Sequence, residues 1–232
     1  MMKPNELLDE AKTLQPQLQK WRRTIHRNPE VGFDLPKTKA LVKQALTEMG
    51  YAPQDCGRAG VLALAGGKRP GKTILLRGDM DALPIFEESG EVFASEVPGK
   101  MHGCGHDMHT AMMLGAAKLL RGYQSKLNGT VKLVFQPDEE GFTGAKAMLA
   151  AGVLREPAPQ AGFALHVHSG TPSGLVLCGE GTFMAGCTLF RVTVHGTGCH
   201  GAMPETGVDP IHIAANIYLA LEELVAREVA AK

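Results

Sequence analysis

The segment Met101-His102-Gly103-Cys104-Gly105-His106-Asp107-Met108-His109 places three histidines, one cysteine and one aspartate within nine residues. Thiolate, imidazole and carboxylate are the ligands that borderline divalent metals such as zinc or manganese take. Gly103 and Gly105 let the backbone turn sharply, so Cys104 and His106 can face one centre. Further along, Glu139-Glu140 follows an apolar run. Beyond a strand end, neighbouring side chains are free to turn to the same edge. One carboxylate then binds metal while the other takes a proton from water. His166 and His168, and likewise Asp79 and Asp81, lie two residues apart. One member of each pair is expected at the metal cluster. His200, in Gly198-Cys199-His200-Gly201-Ala202-Met203-Pro204, reads by itself as a turn histidine on the surface. Asp107 suits the N-cap of a helix from Met108 to Arg121, or a carboxylate that orients a ligand imidazole. His26 and His212 read as structural or exposed helix residues.

The elements that must position these groups follow from periodicity. A helical stripe runs from Leu7 to about Arg27, and a second helix from about Pro36 to Met49, ending at Gly50. Val61–Ala65 and Thr73–Arg77 read as strands on either side of a turn at residues 68–71. Then come a helix to Arg121, a strand Thr130–Phe135, a helix Thr143–Ala151 and a strand Gly162–His166. Alternating strands and helices predict an α/β sandwich around a largely parallel sheet. In such sheets ligand groups gather beyond the carboxyl ends of the strands. Asp79/Asp81, Glu139/Glu140 and His166/His168 each fall at such an end. From about Met184 the pattern changes. Cys187–His195 alternates as a half-exposed strand, and Asp209-Pro210 opens a helix through Val225. One strand and one helix cannot bury their own apolar faces, so residues 184–232 read as an unfinished domain after a first domain at 1–183.

Composition narrows the class. Net charge is zero and aromatics make up 5% of 232 residues, which points away from nucleic acid and acidic membrane surfaces. Five scattered cysteines fit free thiols in a reducing cytoplasm, and the charged N-terminus lacks the apolar stretch of a signal peptide.

Six segments together resemble the aminoacylase, hippurate hydrolase and auxin-conjugate amidohydrolase family of metallopeptidases. They are RRTIHRNPEVGF (Arg22–Phe33), RGDMDALPI (Arg77–Ile85), MHGCGHDMHTA (Met101–Ala111), FQPDEEG (Phe135–Gly141), ALHVHSGTPSG (Ala164–Gly174) and GTGCHGAMPETGVDP (Gly196–Pro210). The resemblance implies a zinc-peptidase-like α/β/α sandwich with an inserted α+β lid used for dimerisation, both incomplete here. It implies two divalent metal ions, zinc or manganese, held by Cys104, His106, Glu140 and His166. Glu139 takes the place of the general base and proton shuttle. Asp79 and Asp81 share the ligand-orienting acidic position, with the Asp-Ala-Leu-Pro alignment favouring Asp81. His200 resembles the lid histidine that polarises the scissile carbonyl, and His168 falls outside the usual ligand position. The implied reaction is hydrolysis of N-acyl amino acids or similar conjugates to a carboxylic acid and an amino acid.

Family members return from the lid with a last histidine ligand, which the 232 residues do not contain. Weak metal binding and low turnover are therefore expected of this chain. A non-catalytic metal-binding or interaction remnant is the alternative, against which the Glu139-Glu140 pair argues, since a binding module needs no free base. A structural zinc domain fits less well, because such sites repeat their cysteine spacing.

Overall fold

The computed structural model describes residues 4–66, 69–184 and 186–228. The chain divides into two compact units between Pro172 and Ser173.

In the first unit the expected long N-terminal helix is two. Helix α1 (Pro4–Thr13) ends before Leu14, and α2 (Gln15–Arg27) restarts with Pro16 in its first turn. Proline has no N–H to continue the ladder and is at home at a helix start, so the apolar stripe survives but the hydrogen bonding does not. Helix α3 (Pro36–Glu48) follows, then strands β1 (Gln54–Cys56), β2 (Gly60–Gly66) and β3 (Arg69–Asp79). Of the turn expected at residues 68–71, Lys68 lies outside the described residues and Arg69 to Gly71 belong to β3. Helix α4 (His106–Gly122), β4 (Asn128–Gln136), α5 (Gly144–Ala150) and β5 (Ala161–Ala164) complete the unit.

The sheet order is β1-β2-β4-β3-β5. The α/β class holds, but the sheet is mixed rather than largely parallel. β4 runs parallel to β3, and β3 to β5, whereas β1–β2 and β2–β4 are antiparallel. The short link between β2 and β3 suggests a hairpin, yet β4 inserts between them. Its central place agrees with its sequence, in which Leu133, Val134 and Phe135 are all buried.

The alternation of β2 and β4 splits the core in two. Val61, Ala63, Ala65, Leu133 and Phe135 face Val42, Leu46, Met113, Leu114 and Ala117 from α3 and α4. Val134 faces the other way, onto Cys56, Met148 and Val153. On that face Lys132 is fully buried, and its Nζ donates to the carbonyls of Val153 and Arg155, each at 2.9 Å. Helices on both faces leave the carboxyl ends of β3, β4 and β5 as the place where loops can gather functional groups.

In the second unit, α6 (Pro210–Glu228) starts as expected, with Asp209 Oδ1 accepting the N–H of Ile211 at 2.9 Å and of His212 at 3.2 Å. The strand expected over Cys187–His195 does not form among the described residues; pairing there is limited to one bridge, Thr197 with Val208. Alternation specifies a face, but a strand also needs a neighbour to take its backbone hydrogen bonds. No residue of α6 is buried. Among the described residues no helix is long and apolar enough to cross a membrane.

Candidate metal centre

Each carboxyl end of the three parallel strands delivers its residues to one place. Asp79 is the last residue of β3 and Asp81 lies just beyond it, Glu139 and Glu140 follow β4, and His166 follows β5. The fourth contribution comes from the N-terminus of α4. Gly105 stands at its cap with φ of 86°, a left-handed conformation that suits glycine, and turns the chain between Cys104 and His106.

Side-chain donor atoms of Cys104, His106 and His166 lie within 4.8 Å of one another, and so do those of His106, Glu139 and Glu140. Cys104 Sγ is 3.4 Å from His166 Nε2. His106 Nε2 lies 3.8 Å from Glu140 Oε1 and 3.9 Å from Glu139 Oε2. His106 is therefore shared by both clusters, and all five residues converge. Glu140 has its side chain 24% exposed, Glu139 36%, so of two adjacent carboxylates one sits deeper and the other is more open to solvent.

Hydrogen bonding fixes which atoms face inward. The Nδ1–H of His106 donates to the Asp81 backbone carbonyl at 2.8 Å, and that of His166 to the Val167 carbonyl at 2.7 Å. Both rings then carry their lone pair on Nε2, the atom turned to the cluster; a backbone carbonyl behind the ring is a usual support for a ligand imidazole. His106 Nε2 and Glu140 Oε1 are buried without a hydrogen-bond partner. Buried polar atoms of this kind call for an occupant.

The electrostatics ask for a cation. Burial, reinforced by Glu140, Glu139 and Asp79, pushes the Cys104 thiol up to about 12. Burial also raises the Glu139 carboxyl, with Asp79 and Glu140 adding to it and His106 opposing. For His106 burial works against the charged ring, but Asp81, Asp79 and Glu140 outweigh it and the pKa rises. Surroundings that favour a proton on Nε2 equally favour a metal ion there. Sulfur, nitrogen and oxygen donors with free lone pairs fit a borderline divalent metal.

A third group of possible donors, Asp79, His106 and His109, is different. His109 Nδ1–H donates to Asp79 Oδ1 at 2.6 Å, and His109 Nε2 accepts the Val167 N–H at 2.9 Å. Asp79 Oδ2 accepts Arg77 Nη1–H at 2.7 Å. With those atoms already engaged, Asp79 and His109 form a scaffold that holds the residue after His166. Burial would raise the Asp79 carboxyl, but His109, His106 and Arg77 hold it down at about 2. Asp81 has another task, because its two oxygens accept the N–H of Glu139 at 2.9 Å and of Glu140 at 3.1 Å.

Asp107 does not cap α4. Its Oδ2 accepts Arg22 Nε–H at 2.6 Å and His26 Nδ1–H at 2.8 Å, so its partners lie on α2 and it orients none of the clustered imidazoles. The helix starts at His106, two residues before the expected Met108, which carries Asp107 inside it. His26 is buried, with its Nε2 3.1 Å from Glu87 Oε1. This network of Arg22, His26, Glu87 and Asp107 is illegible in the sequence, where the four residues are scattered over 86 positions. His168 is exposed and bonds Thr171 Oγ. His200 lies in the second unit, where its Nδ1 accepts the Ala202 N–H at 3.2 Å.

The model of peptidase family M20/M25/M40 matches residues 75–229. The chain belongs to this family. It is 47% identical over 209 residues to IAA-amino acid hydrolase ILR1-like 5 of Arabidopsis thaliana, covering 89% of this chain and 47% of that protein. It is 38% identical over 225 residues to the N-acyl-L-amino acid amidohydrolase of Geobacillus stearothermophilus, covering 96% of this chain and 60% of that one. Among solved structures, the Bacillus subtilis YXEP protein, a dinuclear metal binding peptidase, is 40% identical with a TM-score of 0.64, over 67% of this chain and 43% of that one. A structure from methicillin resistant Staphylococcus aureus matches 97% of this chain and 60% of its own with a TM-score of 0.78 at 30% identity. The chain spans about half the length of the curated relatives it matches.

Proposed function

We propose that this chain belongs to the catalytic machinery of a metal-dependent amidohydrolase that cleaves N-acyl amino acids or similar conjugates to a carboxylic acid and an amino acid. The observation that carries the reading is the pair Glu139 and Glu140, adjacent in sequence, facing one imidazole, and differing in depth. Cys104, His106, Glu140 and His166 would hold two divalent ions, zinc or manganese. Such ions, when bound, polarise the amide carbonyl and lower the pKa of water.

The protein's own groups do the rest. Glu139 accepts a proton from the attacking water and passes it to the departing nitrogen, and a carboxyl raised by burial is better matched to that task near neutral pH. Asp81 holds the backbone of the acidic turn, and Asp79 holds the His166 side through His109. His200, with Nδ1 accepting a backbone N–H, keeps its proton on Nε2 when neutral, as a donor for oxyanion charge must. The substrate class is supported by the relatives, an IAA-amino acid hydrolase, an N-acetylcysteine deacetylase and an N-acyl-L-amino acid amidohydrolase. To this reading belong a catalytic part at 1–183, a lid part at 184–232 that serves a homodimer, a cytoplasmic setting, and a small-molecule partner rather than nucleic acid or membrane.

The test is Glu139→Gln, assayed for hydrolysis of N-acetyl amino acids alongside bound-metal analysis. Hydrolysis falling about 10²–10⁴-fold with metal content retained is the expected result. Hydrolysis unchanged by the substitution would overturn the assignment.

A further inference from the structure

The acidic turn is wound around a carboxylate that touches none of the clustered donors. Asp138 is buried, 8% exposed, and its φ is 49°. A left-handed conformation is unfavourable for a residue other than glycine, least for Asn and Asp, and persists only where its surroundings demand it. Here they do. Asp138 Oδ2 accepts the Thr143 hydroxyl, its carbonyl accepts the Gly144 N–H at 3.1 Å, and its N–H donates to the Gly32 carbonyl at 3.1 Å. A Cβ at Gly141 would collide with the Asp138 carboxylate, and one at Gly144 would collide with the Pro137 carbonyl. The two glycines leave room for one charged group and for the chain closing over it.

From the sheet side Asp81 holds the amides of residues 139 and 140. From inside, Asp138 fixes the backbone just before them. We propose that Asp138 is a positioning residue that aims the carboxylates of Glu139 and Glu140 at His106. The inference rests on reading that pair as base and metal ligand. It goes further by assigning the aim of both to a neighbour that binds neither metal nor substrate.

Three variants test it. Asp138→Ala removes both the carboxylate and the tolerance for positive φ, Asp138→Asn keeps the backbone preference and an acceptor for Thr143, and Thr143→Val removes only the donor. Cobalt(II) titration counts bound ions, and the part of the thiolate-to-cobalt absorption that a Cys104→Ser control loses reports on Cys104 apart from the other four free cysteines. Amide hydrogen exchange at Glu139 and Glu140 reads the turn with no metal present. Expected for Asp138→Ala is about 10–100-fold weaker binding of the cobalt that depends on Glu140, with the Cys104 absorption kept, as for other outer partners of metal ligands. Both amides should exchange faster in Asp138→Ala and Thr143→Val, and Asp138→Asn should recover most of the loss. Unchanged exchange and cobalt binding in Asp138→Ala would overturn the proposal. So would an equal loss of both cobalt ions that Asp138→Asn does not relieve, because that marks general unfolding. If the unaltered chain binds no cobalt, the metal reading fails, and the exchange rates still decide the role of Asp138.

Discussion

His106 donates its Nδ1–H to the backbone carbonyl of Asp81 at 2.8 Å, and this bond determines what the rest of the ring can do. With Nδ1 committed, Nε2 is the ring atom left to face Glu139, Glu140 and Asp79, at 3.9, 3.8 and 3.7 Å. The bond comes from the main chain, so no side-chain substitution at position 81 removes it. The Asp81 carboxylate has a task of its own: it accepts the N–H groups of Glu139 and Glu140, with Oδ1 also 3.6 Å from His106 Nδ1.

That separation makes Asp81→Asn informative. A carboxamide has one oxygen to offer where two N–H groups arrive, and its NH2 opposes the second. Hydrogen bonds to charged groups contribute about 1.5–3 kcal/mol, so a stability loss of that size is expected in urea unfolding. Metal affinity should fall about 10–100-fold through misplacement of Glu139 and Glu140. Since the carbonyl that supports His106 stays, the Cys104–His106–His166 donors should keep their ion. Complete loss of metal in Asp81→Asn would show that the carboxylate acts on the whole site.

His109 should act on the His166 side of the site. It joins buried Asp79 to the Val167 N–H, and His166 is the next residue. His109→Leu leaves the Asp79 carboxylate with Arg77 as its hydrogen-bond donor and His106 3.7 Å away, and the Val167 N–H without its acceptor. Removing one partner of a buried charge costs about 3–5 kcal/mol. The Asp79 carboxyl, now held at about 2, should rise. Because its folded pKa is depressed, its contribution is present above the unfolded value and is lost as pH falls toward about 2. His109→Leu should therefore be less stable at neutral pH, and its acid unfolding should begin at higher pH. An acid-unfolding curve that coincides with that of the unaltered chain would refute this role.

How much of this could be read in advance depended on whether the signal was local. Glu139, Glu140 and His166 were legible as candidates because each sits where an apolar run ends, and strand ends collect in space, while Cys104 and His106 were legible from ligand side chains spaced by glycines at a helix start. The two aspartates were not separable by spacing. Their different tasks appear once residue 79 is seen on β3 facing His109 and residue 81 is seen beneath the acidic turn. Asp138 carried no expectation of its own, since a positive φ leaves little trace in residue type when the residue is not glycine. The insertion of β4 between β2 and β3 was equally hidden, because periodicity gives a strand's faces and not its neighbours. The unformed strand at 187–195 is the same limitation from the other direction.

Lys132 offers a test away from the site. Its side chain is fully enclosed by the sheet and residues 153–155, where Nζ meets two carbonyls. Lys132→Met preserves the length and apolar stem but strands the acceptor of buried Val153, while the carbonyl of exposed Arg155 can turn to water. An unsatisfied buried group costs about 1–3 kcal/mol, so a loss of that size in urea unfolding is expected, with the clustered donors at the strand ends unaffected. A variant as stable as the unaltered chain would mean that water reaches the Val153 carbonyl as well.

The pH dependence of stability should have two limbs set by two buried histidines that share Asp107. His102 is 4% exposed, and neither ring nitrogen has a partner. Burial, only partly offset by Asp107, lowers its pKa from 6.5 to about 4. Between those values the unfolded chain binds a proton that the folded chain refuses, so stability falls as pH drops through that window, by up to about 3 kcal/mol. His26 is the opposite case. Its bond to Asp107 outweighs burial and, with Glu87, raises its pKa above 6.5. Its contribution is complete below the unfolded value and is lost as pH rises through the folded one. Urea unfolding in chelator, from about pH 4.5 to pH 9, should therefore show a maximum near neutrality. His102→Leu should flatten the acid limb, and His26→Gln should flatten the alkaline limb while lowering stability throughout, because Asp107 and Glu87 each lose a charged donor. If His102→Leu loses stability toward acid as steeply as the unaltered chain, His102 is not the group responsible.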